Sequence, residues 1–528
     1  MAGDLVNTID VIVILVYFAG VTAFGIYFAG RNKSTEAYFL GNRSFPGWAI
    51  GISLVGTSIS SQSFLATPGD SFKISWIRYV FVVGFPLVIL VAAWLFLPFY
   101  RRTKTTSAFE YLERRFGPTT RLYGASAFLF AQVVRVALVL YLLAIVLKQL
   151  TGMELWMCIA VCGVFVSFYT VAGGIEAVIW TDVVQTIILA VGGVICLITV
   201  VLQLPGGLGE IISVGMADSK FQFAELMSDG SLRNIGWSFS MQDKTALMVV
   251  FVGLTHFMAE YACNQNVVQR YCASSSMREA RKAMGVCCVA SMVIWTFFTF
   301  LGTAFYVFFK RFPTDATDAI LSGDGGAKAE QILPYFVMHH LPAGIAGLVL
   351  AAVLAAAMSS LDSSLNAIST VSIVDIYRRH LVKDRDDRHY LLAARYFAIF
   401  ASVFMVIGAL VLAYSEMSTI NHTSVALSAI FSGGLLGLYL LGFLTTRGDG
   451  RAVGAAIVCT IIWTAYMTLA KSDVIPESLQ LGIDSYYTGI IGHLVMFCIG
   501  YFGASFLPQR PRDLTNLSVW TQESTPLE

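Results

Sequence analysis

Charge is scarce in this chain: Asp, Glu, Lys and Arg make up 13% of its 528 residues, against 57% hydrophobic residues. A soluble chain of this length would form several domains with charged surfaces, so the scarcity points to one bundle in lipid. A basic excess is missing as well. The formal net charge of +1 leaves no surplus to displace counterions from phosphates, which sets aside a nucleic-acid partner. The nine cysteines, Cys158, Cys196, Cys263 and Cys459 among them, are scattered in or beside apolar runs without the short paired spacings of a zinc site or a disulfide framework. They read as buried packing residues. Also lacking are an HExxH run and a GxSxG on a strand-to-helix turn, so nothing points to an intramembrane enzyme.

What the chain has is apolar length, with a mean hydropathy of +0.72. Residues 1–10 carry acids and no base, and the run that follows, 11–30, is too long for a signal-peptide core, so it reads as a retained first span. Stretches of membrane-crossing length recur at 47–68, 77–99, 121–148, 154–171, 178–203, 245–264, 284–309, 333–358, 391–414, 422–443, 453–470 and 485–507. With the first span they predict an all-α integral membrane protein of about thirteen transmembrane helices, a single domain over 1–528. An odd number puts the termini on opposite sides. The side with the loops after spans one, three, seven, nine and eleven and the tail 508–528 has 23 of the 34 Lys and Arg, counting those at the adjoining span ends and including Arg101, Arg102, Arg114, Arg115, Arg270, Arg378 and Arg379; the other side has 10, and Arg135 lies inside a span. The positive-inside bias therefore places the N-terminus outside and the C-terminus in the cytoplasm of a cell-membrane protein. The stretches 203–243 and 312–329 read as caps on the outer face.

Several polar groups stand where lipid-facing helices have none. Span two reads GISLVGTSISSQSF over residues 51–64, crowding Ser53, Thr57, Ser58, Ser60, Ser61, Gln62 and Ser63 into its middle. Hydroxyls of this kind either bond their own backbone and let helices pack closely, or mark a discontinuous helix whose freed carbonyls coordinate a cation. Residues 355–366, AAAMSSLDSSLN, put Ser359, Asp362 and Ser363 on one helical face. A carboxylate among hydroxyls suits a hard, weakly charged cation; the alternative is a polar helix end at the cytoplasmic surface. Asp182 falls in the first turns of span six, where capping is the plain alternative to ion binding. Arg135 lies well inside span four, placed to clamp a carboxylate or to neutralise a protein acid, for which Glu260 in span seven is the evident candidate.

The chain resembles the sodium:solute symporter family, which includes sodium/glucose, iodide, pantothenate, proline and sialic acid transporters. The likeness is carried in order by AYFLGNRSFPGW (37–48), TSAFEYLERRF (106–116), GGIEAVIWTD (173–182), NQNVVQRY (264–271) and SSLDSSLN (359–366). It implies inverted five-helix repeats with discontinuous helices, 47–203 and 245–443, preceded by the extra span 11–30 and followed by two spans over 453–507. It implies sodium-coupled symport of a small polar organic solute, with sodium, the solute and the bilayer as partners and no obligate protein partner. Carried onto matching positions, the principal sodium site would use backbone oxygens of Gly56, Ile59 and Ala356 and the hydroxyls of Ser359 and Ser360. A second site in some relatives corresponds to Asp182, Ser359, Asp362 and Ser363. The sialic acid branch has serine where this chain has Asp362, so that carboxylate either joins a second sodium or carries a proton. The substrate set would comprise Ser58, Ser60, Gln62, Ser63, Arg135 and Glu260. In the sialic acid branch an arginine matching Arg135 holds the substrate carboxylate, whereas Val82 stands where that branch has glutamine. An organic anion such as sialic acid is therefore expected, with a sugar or polyol as the alternative, and a membrane sensor or channel as the alternative of another class.

Overall fold

A computed structural model describes residues 7–29, 33–58, 61–103, 105–227, 232–322, 328–414, 433–471, 475–508 and 512–522. Among these, ten helices are long and apolar enough to cross a membrane. The first span is α1 (Thr8–Ala29). A short α2 (Thr35–Leu40) is capped by Ser34, whose hydroxyl accepts from the Ala37 amide, and ends at Gly41 in the left-handed conformation, φ +53°. Span two is described as α3 (Gly47–Ser58) and α4 (Ser61–Lys73), and residues 59–60 between them lie outside the described residues.

Span three is interrupted. It comprises α5 (Ile77–Val82), α6 (Phe85–Val91) and α7 (Leu97–Arg102), with a wider turn at Ala92–Phe96. Ser107 and Glu110 form a reciprocal capping box that starts α8 (Ala108–Phe116), and α9 (Pro118–Thr151) follows. The runs at 154–171 and 178–203 join in α10 (Leu155–Gln203). A straight helix of 49 residues would be about 74 Å long, more than twice the hydrocarbon core. Gly174 resolves the mismatch: at φ +57° and ψ −157° it breaks the rod into two spans. A side chain there would also collide with Tyr38, 2.8 Å away.

The stretch read as a cap builds α11 (Gly207–Ala217) and a two-stranded antiparallel ribbon, β1 (Ala224–Leu226) with β2 (Leu232–Asn234). It folds onto the end of α4, where Trp76 N donates to Gln222 O and Ser75 Oγ to Ala224 O. Lys220 completes the contact. Its ammonium donates to the carbonyls of Phe72 (2.8 Å) and Ile74 (3.0 Å) and lies 3.9 Å over the Tyr306 ring, capping the C-terminal carbonyls of α4.

Burial pushes the Lys220 pKa down to about 8, opposed by Asp218 and reinforced by Lys310. Below that pH the ammonium is charged in both folded and unfolded chains, and its burial cost is present in full. Between about pH 8 and 10.5 the unfolded chain holds more protons, so this residue makes stability rise with pH. Lys220→Met should flatten that rise, as measured by melting temperature across the interval against the wild-type protein. Parallel curves for the two proteins would contradict the burial.

The second half runs through α12 (Ala246–Cys263), α13 (Gln265–Ala273), α14 (Met277–Arg311), α15 (Asp315–Ser322), α16 (Ile332–His340), α17 (Ile345–Val371) and α18 (Asp387–Tyr414). It closes with α19 (Leu435–Leu444), α20 (Gly450–Lys471) and α21 (Tyr487–Gly503). The span expected at 422–443 lies largely outside the described residues. The span expected at 333–358 is displaced: α16 is a separate short helix, and the crossing helix runs from Ile345, continuing in wider turns to Leu381. The serine-rich half lowers local hydropathy, so the apolar window slid toward the N-terminus. Residues 359–366 therefore sit in the middle of the helix rather than at its polar end. α17 is the axis of the bundle, 89% buried in its best window against 22–50% for the other candidate spans. Its small residues admit close neighbours, as where Ala352 lies 3.0 Å from the Cβ position of Gly192.

Candidate functional site

Two clusters form where α17 meets α3 and α10. In the first, Ser359 Oγ donates to Gly56 O (2.9 Å) on α3 and to Ala356 O (3.1 Å) on its own helix. Ser360 Oγ is buried without a partner among the described residues. A cavity of about 10 Å³ touches Gly56, Thr186, Ala356 and Ser359, room for one water-sized particle. A Cβ at Gly56 would meet Thr186 Oγ1 at 2.9 Å, so glycine keeps the carbonyl within reach. Turning the hydroxyl protons away would leave a set of oxygen ligands suited to a hard cation. Of the expected ligands, Gly56, Ala356 and Ser359 border this cavity together, while Ser360 is buried on α17 but is not on its lining. Ile59 lies outside the described residues.

The second cluster is a buried charge network. Asp182 is fully buried and accepts from Arg270 Nη2 (2.7 Å) and Ser53 Oγ (2.5 Å). Arg270, 1% exposed, also donates to Ser53 Oγ (2.8 Å), Ser363 Oγ (2.7 Å) and Asn266 O (2.7 Å). Asp362 accepts from Tyr169 OH (2.9 Å) and from the Ser363 amide (2.6 Å). Two carboxylates and one guanidinium leave one negative charge. Asp182 Oδ1 and the Gln185 and Thr186 polar atoms have no partner among the described residues. Arg270 was missed in the sequence, where it counted as a loop base. In the structure all nine residues of α13 are buried, and Gln269 beside it donates to Phe39 O, Asn366 Oδ1 and Thr370 Oγ1. The available signal was the run of amides around it, together with an internal Asp182 that required a counter-charge.

A chamber of about 470 Å³ reaches from Ser58 and Trp295 past His256 to Asp70, Arg78 and Lys244, at the end of the bundle that carries the ribbon. Ser58 Oγ is buried without a partner among the described residues, and Val82 is on the wall. His256 also borders a second cavity of about 530 Å³, lined by Gln132, Glu260 and Asn264. Arg135 is half-buried on α9, one turn beyond Gln132, and makes no hydrogen bond or ion pair with a described residue. The expected pairing with Glu260 is not formed: that carboxylate accepts from Asn264 Nδ2 (2.7 Å), its neighbour four residues along. Glu260 shares the wall of the second cavity with His256, and so does Gln132, one turn before Arg135 on α9. Ser60 lies outside the described residues, and Gln62 and Ser63 are described only as backbone of α4. At the arginine-rich end, Arg121 bridges Asp375 (2.7 Å) and Glu113 (2.6 Å), and Arg379 pairs with Glu113 (2.5 Å).

A multi-pass helical bundle with a solute-sized chamber and oxygen clusters buried on its central helix has the makings of a membrane transporter. Comparison with known proteins narrows the class. The Sodium:solute symporter family model matches residues 38–458. The chain is 30% identical to the sodium/sialic acid symporter SiaT of Proteus mirabilis, covering 96% of this chain and 97% of that one. It is 29% identical to the sodium/sialic acid symporter NanT of Aliivibrio fischeri, covering 96% and 94%. A solved structure of a Na+-coupled sialic acid symporter, substrate-bound and outward-open, superposes with a TM-score of 0.83 at 29% identity, covering 95% of this chain and 98% of that one. The chain belongs to the sodium:solute symporter family. It is a secondary active transporter, and sodium is the ion it couples to a small organic solute.

Proposed function

We propose that the solute is an organic anion of the sialic acid kind, held by its carboxylate on Arg135 with Ser58, Ser60, Gln62 and Ser63 supplying hydroxyl and amide contacts. The observation that carries this reading is a half-buried guanidinium on α9, one turn beyond Gln132 on the second cavity's wall, with no hydrogen bond or ion pair to a described residue. The sialic acid symporters among its relatives support it. A second reading, a neutral sugar or polyol, is favoured by Val82 on the chamber wall and by Glu260, whose charge opposes an anion.

Gly56, Ile59, Ala356, Ser359 and Ser360 form the principal sodium site in this proposal. The network of Asp182, Asp362 and Ser363 takes a second monovalent cation, sodium or a proton, because one cation brings its net charge to zero. About thirteen spans, arranged as inverted repeats over 47–203 and 245–443, put the N-terminus outside the cell membrane and the arginine-rich end in the cytoplasm. Sodium binding would join α3 to α17 and order the chamber, and by linkage the solute would tighten sodium equally. One inward charge adds about 2.3 kcal/mol per 100 mV to the driving force.

The test is uptake of radiolabelled sialic acids, monocarboxylates, sugars and amino acids into proteoliposomes, with and without an inward sodium gradient. Sodium-stimulated accumulation of an acid supports the first reading; accumulation of a neutral sugar alone transfers support to the second. In the same assay Ser359→Ala, which removes one ligand and two hydrogen bonds, should raise the half-saturating sodium concentration about tenfold. Unchanged sodium dependence would remove Ser359 from the ion site.

A further inference from the structure

At the arginine-rich end, away from the ion and solute sites, a cavity of about 650 Å³ lies between the turn after α19, the start of α20 and the end of α21. Among the described residues, Arg115, Arg447 and Arg512 line it with one acid, Asp449, a surplus of two positive charges. Arg115 is 1% exposed, and its Nη2 donates to the carbonyls of Thr445 (2.9 Å) and Arg447 (2.5 Å). Its Nε is buried without a partner among the described residues. Arg447 lies 5.0 Å over the Tyr501 ring and reaches Ser505 Oγ only at 3.5 Å. Arg512 stands 4.0 Å from Asp449, a carboxylate that Arg451 already engages at 3.1 Å. Arg512 Nη1 also donates to Arg115 O (3.3 Å) and Arg115 Nη1 to Gly448 O (3.5 Å), so what is left over at the cavity is guanidinium charge and the Arg115 Nε donor.

Exposed aromatic side chains flank the lining residues Ala504, Ser505 and Leu507 in sequence. Phe502 is 60% exposed and Phe506 87%, both at the end of the last membrane helix. Positive charge surplus beside exposed aromatic rings at the end of a spanning helix distinguishes this cavity from a pocket for a water-soluble anion, which would need no apolar flank. We propose that the cavity holds the phosphodiester headgroup of an anionic membrane lipid, with Arg115, Arg447 and Arg512 on the phosphate oxygens and the acyl chains along Phe502 and Phe506.

The experiment measures the melting temperature of the full-length protein in mixed micelles titrated with phosphatidylglycerol, phosphatidylcholine or, separately, inorganic phosphate. The wild-type protein should be stabilised saturably by phosphatidylglycerol and by neither of the other two. The Arg447→Gln/Arg512→Gln variant should need about thirtyfold more phosphatidylglycerol for the same shift. Equal stabilisation of wild type and variant by phosphatidylglycerol would overturn the site. Equal stabilisation of the wild type by inorganic phosphate would overturn the lipid assignment. A measurement independent of the variant uses the wild-type protein alone: about 0.5 M potassium chloride should abolish the difference between the two lipids, and persistence of the full difference would overturn the electrostatic basis.

Discussion

Arg135→Ala should reduce sodium-driven uptake of a carboxylate solute by about thirtyfold to a few thousandfold. This is the range expected when one partner of a desolvated, charge-assisted pair is truncated, about 2–5 kcal/mol. The size follows from the setting. Arg135 is half-buried within α9 and makes no hydrogen bond or ion pair with a described residue, and Glu260, the acid inside a span that the sequence offered as its partner, is held by Asn264. Removing a guanidinium with no hydrogen bond or ion pair to a described residue should take little from the fold and most of the binding from a carboxylate that depends on it. Arg135→Lys keeps the charge and loses the planar fork, so it should retain part of the affinity and still lose at least about tenfold. A folding defect is separated from a binding defect by sodium itself: the alanine variant should still be stabilised by sodium, because Gly56, Ala356 and Ser359 lie on other helices. Uptake of the acid by Arg135→Ala within threefold of wild type would rule out the carboxylate clamp. Unaltered uptake of a neutral sugar by the same variant would establish the polyol reading in its place.

The helices were legible because lipid imposes long apolar runs, and α1, α9 and α12 begin and end close to the stretches read from the sequence. The helix that carries the site was the least legible. Residues 359–366 are so polar that they suggested the end of a span, yet Ser359, Asp362, Ser363 and Asn366 are all buried in the middle of α17. Hydropathy scores each residue against lipid, whereas this stretch faces only protein, where hydroxyls and carboxylates find partners on α3, α10 and α13. Gly56 and Ser359 were expected together on resemblance, and the structure brings them to 2.9 Å. Asp182 was legible as a buried acid but its counter-charge was not, because Arg270 is 88 positions away in sequence on a helix of nine residues. Short buried helices escape any window scaled to the membrane, and positive-inside counting treats every arginine between spans as solvated.

That hidden arginine sets the other large effect. Asp182, Asp362 and Arg270 sum to one negative charge in a region closed to water, so each substitution can be ranked by the charge it leaves. Arg270→Gln leaves two, with Asp182 deprived of its 2.7 Å partner and Ser53 and Ser363 of theirs. Breaking a buried pair from one side costs about 3–5 kcal/mol, and the yield of folded protein and its melting temperature should fall sharply. Asp182→Asn brings the sum to zero but leaves Arg270 without its carboxylate, so a smaller loss is expected. Asp362→Asn also brings the sum to zero and keeps the Asp182–Arg270 pair, so it should be the mildest of the three. The double variant Asp182→Asn/Arg270→Gln restores the original single charge, and its two amides can bond each other across the old pair; it should recover most of the stability lost by Arg270→Gln. A bound monovalent cation offsets excess negative charge, so sodium should raise the melting temperature of Arg270→Gln more than that of the wild type, and potassium should not substitute. A double variant no more stable than Arg270→Gln, or a sodium response equal in variant and wild type, would show that charge balance is not what holds these helices together.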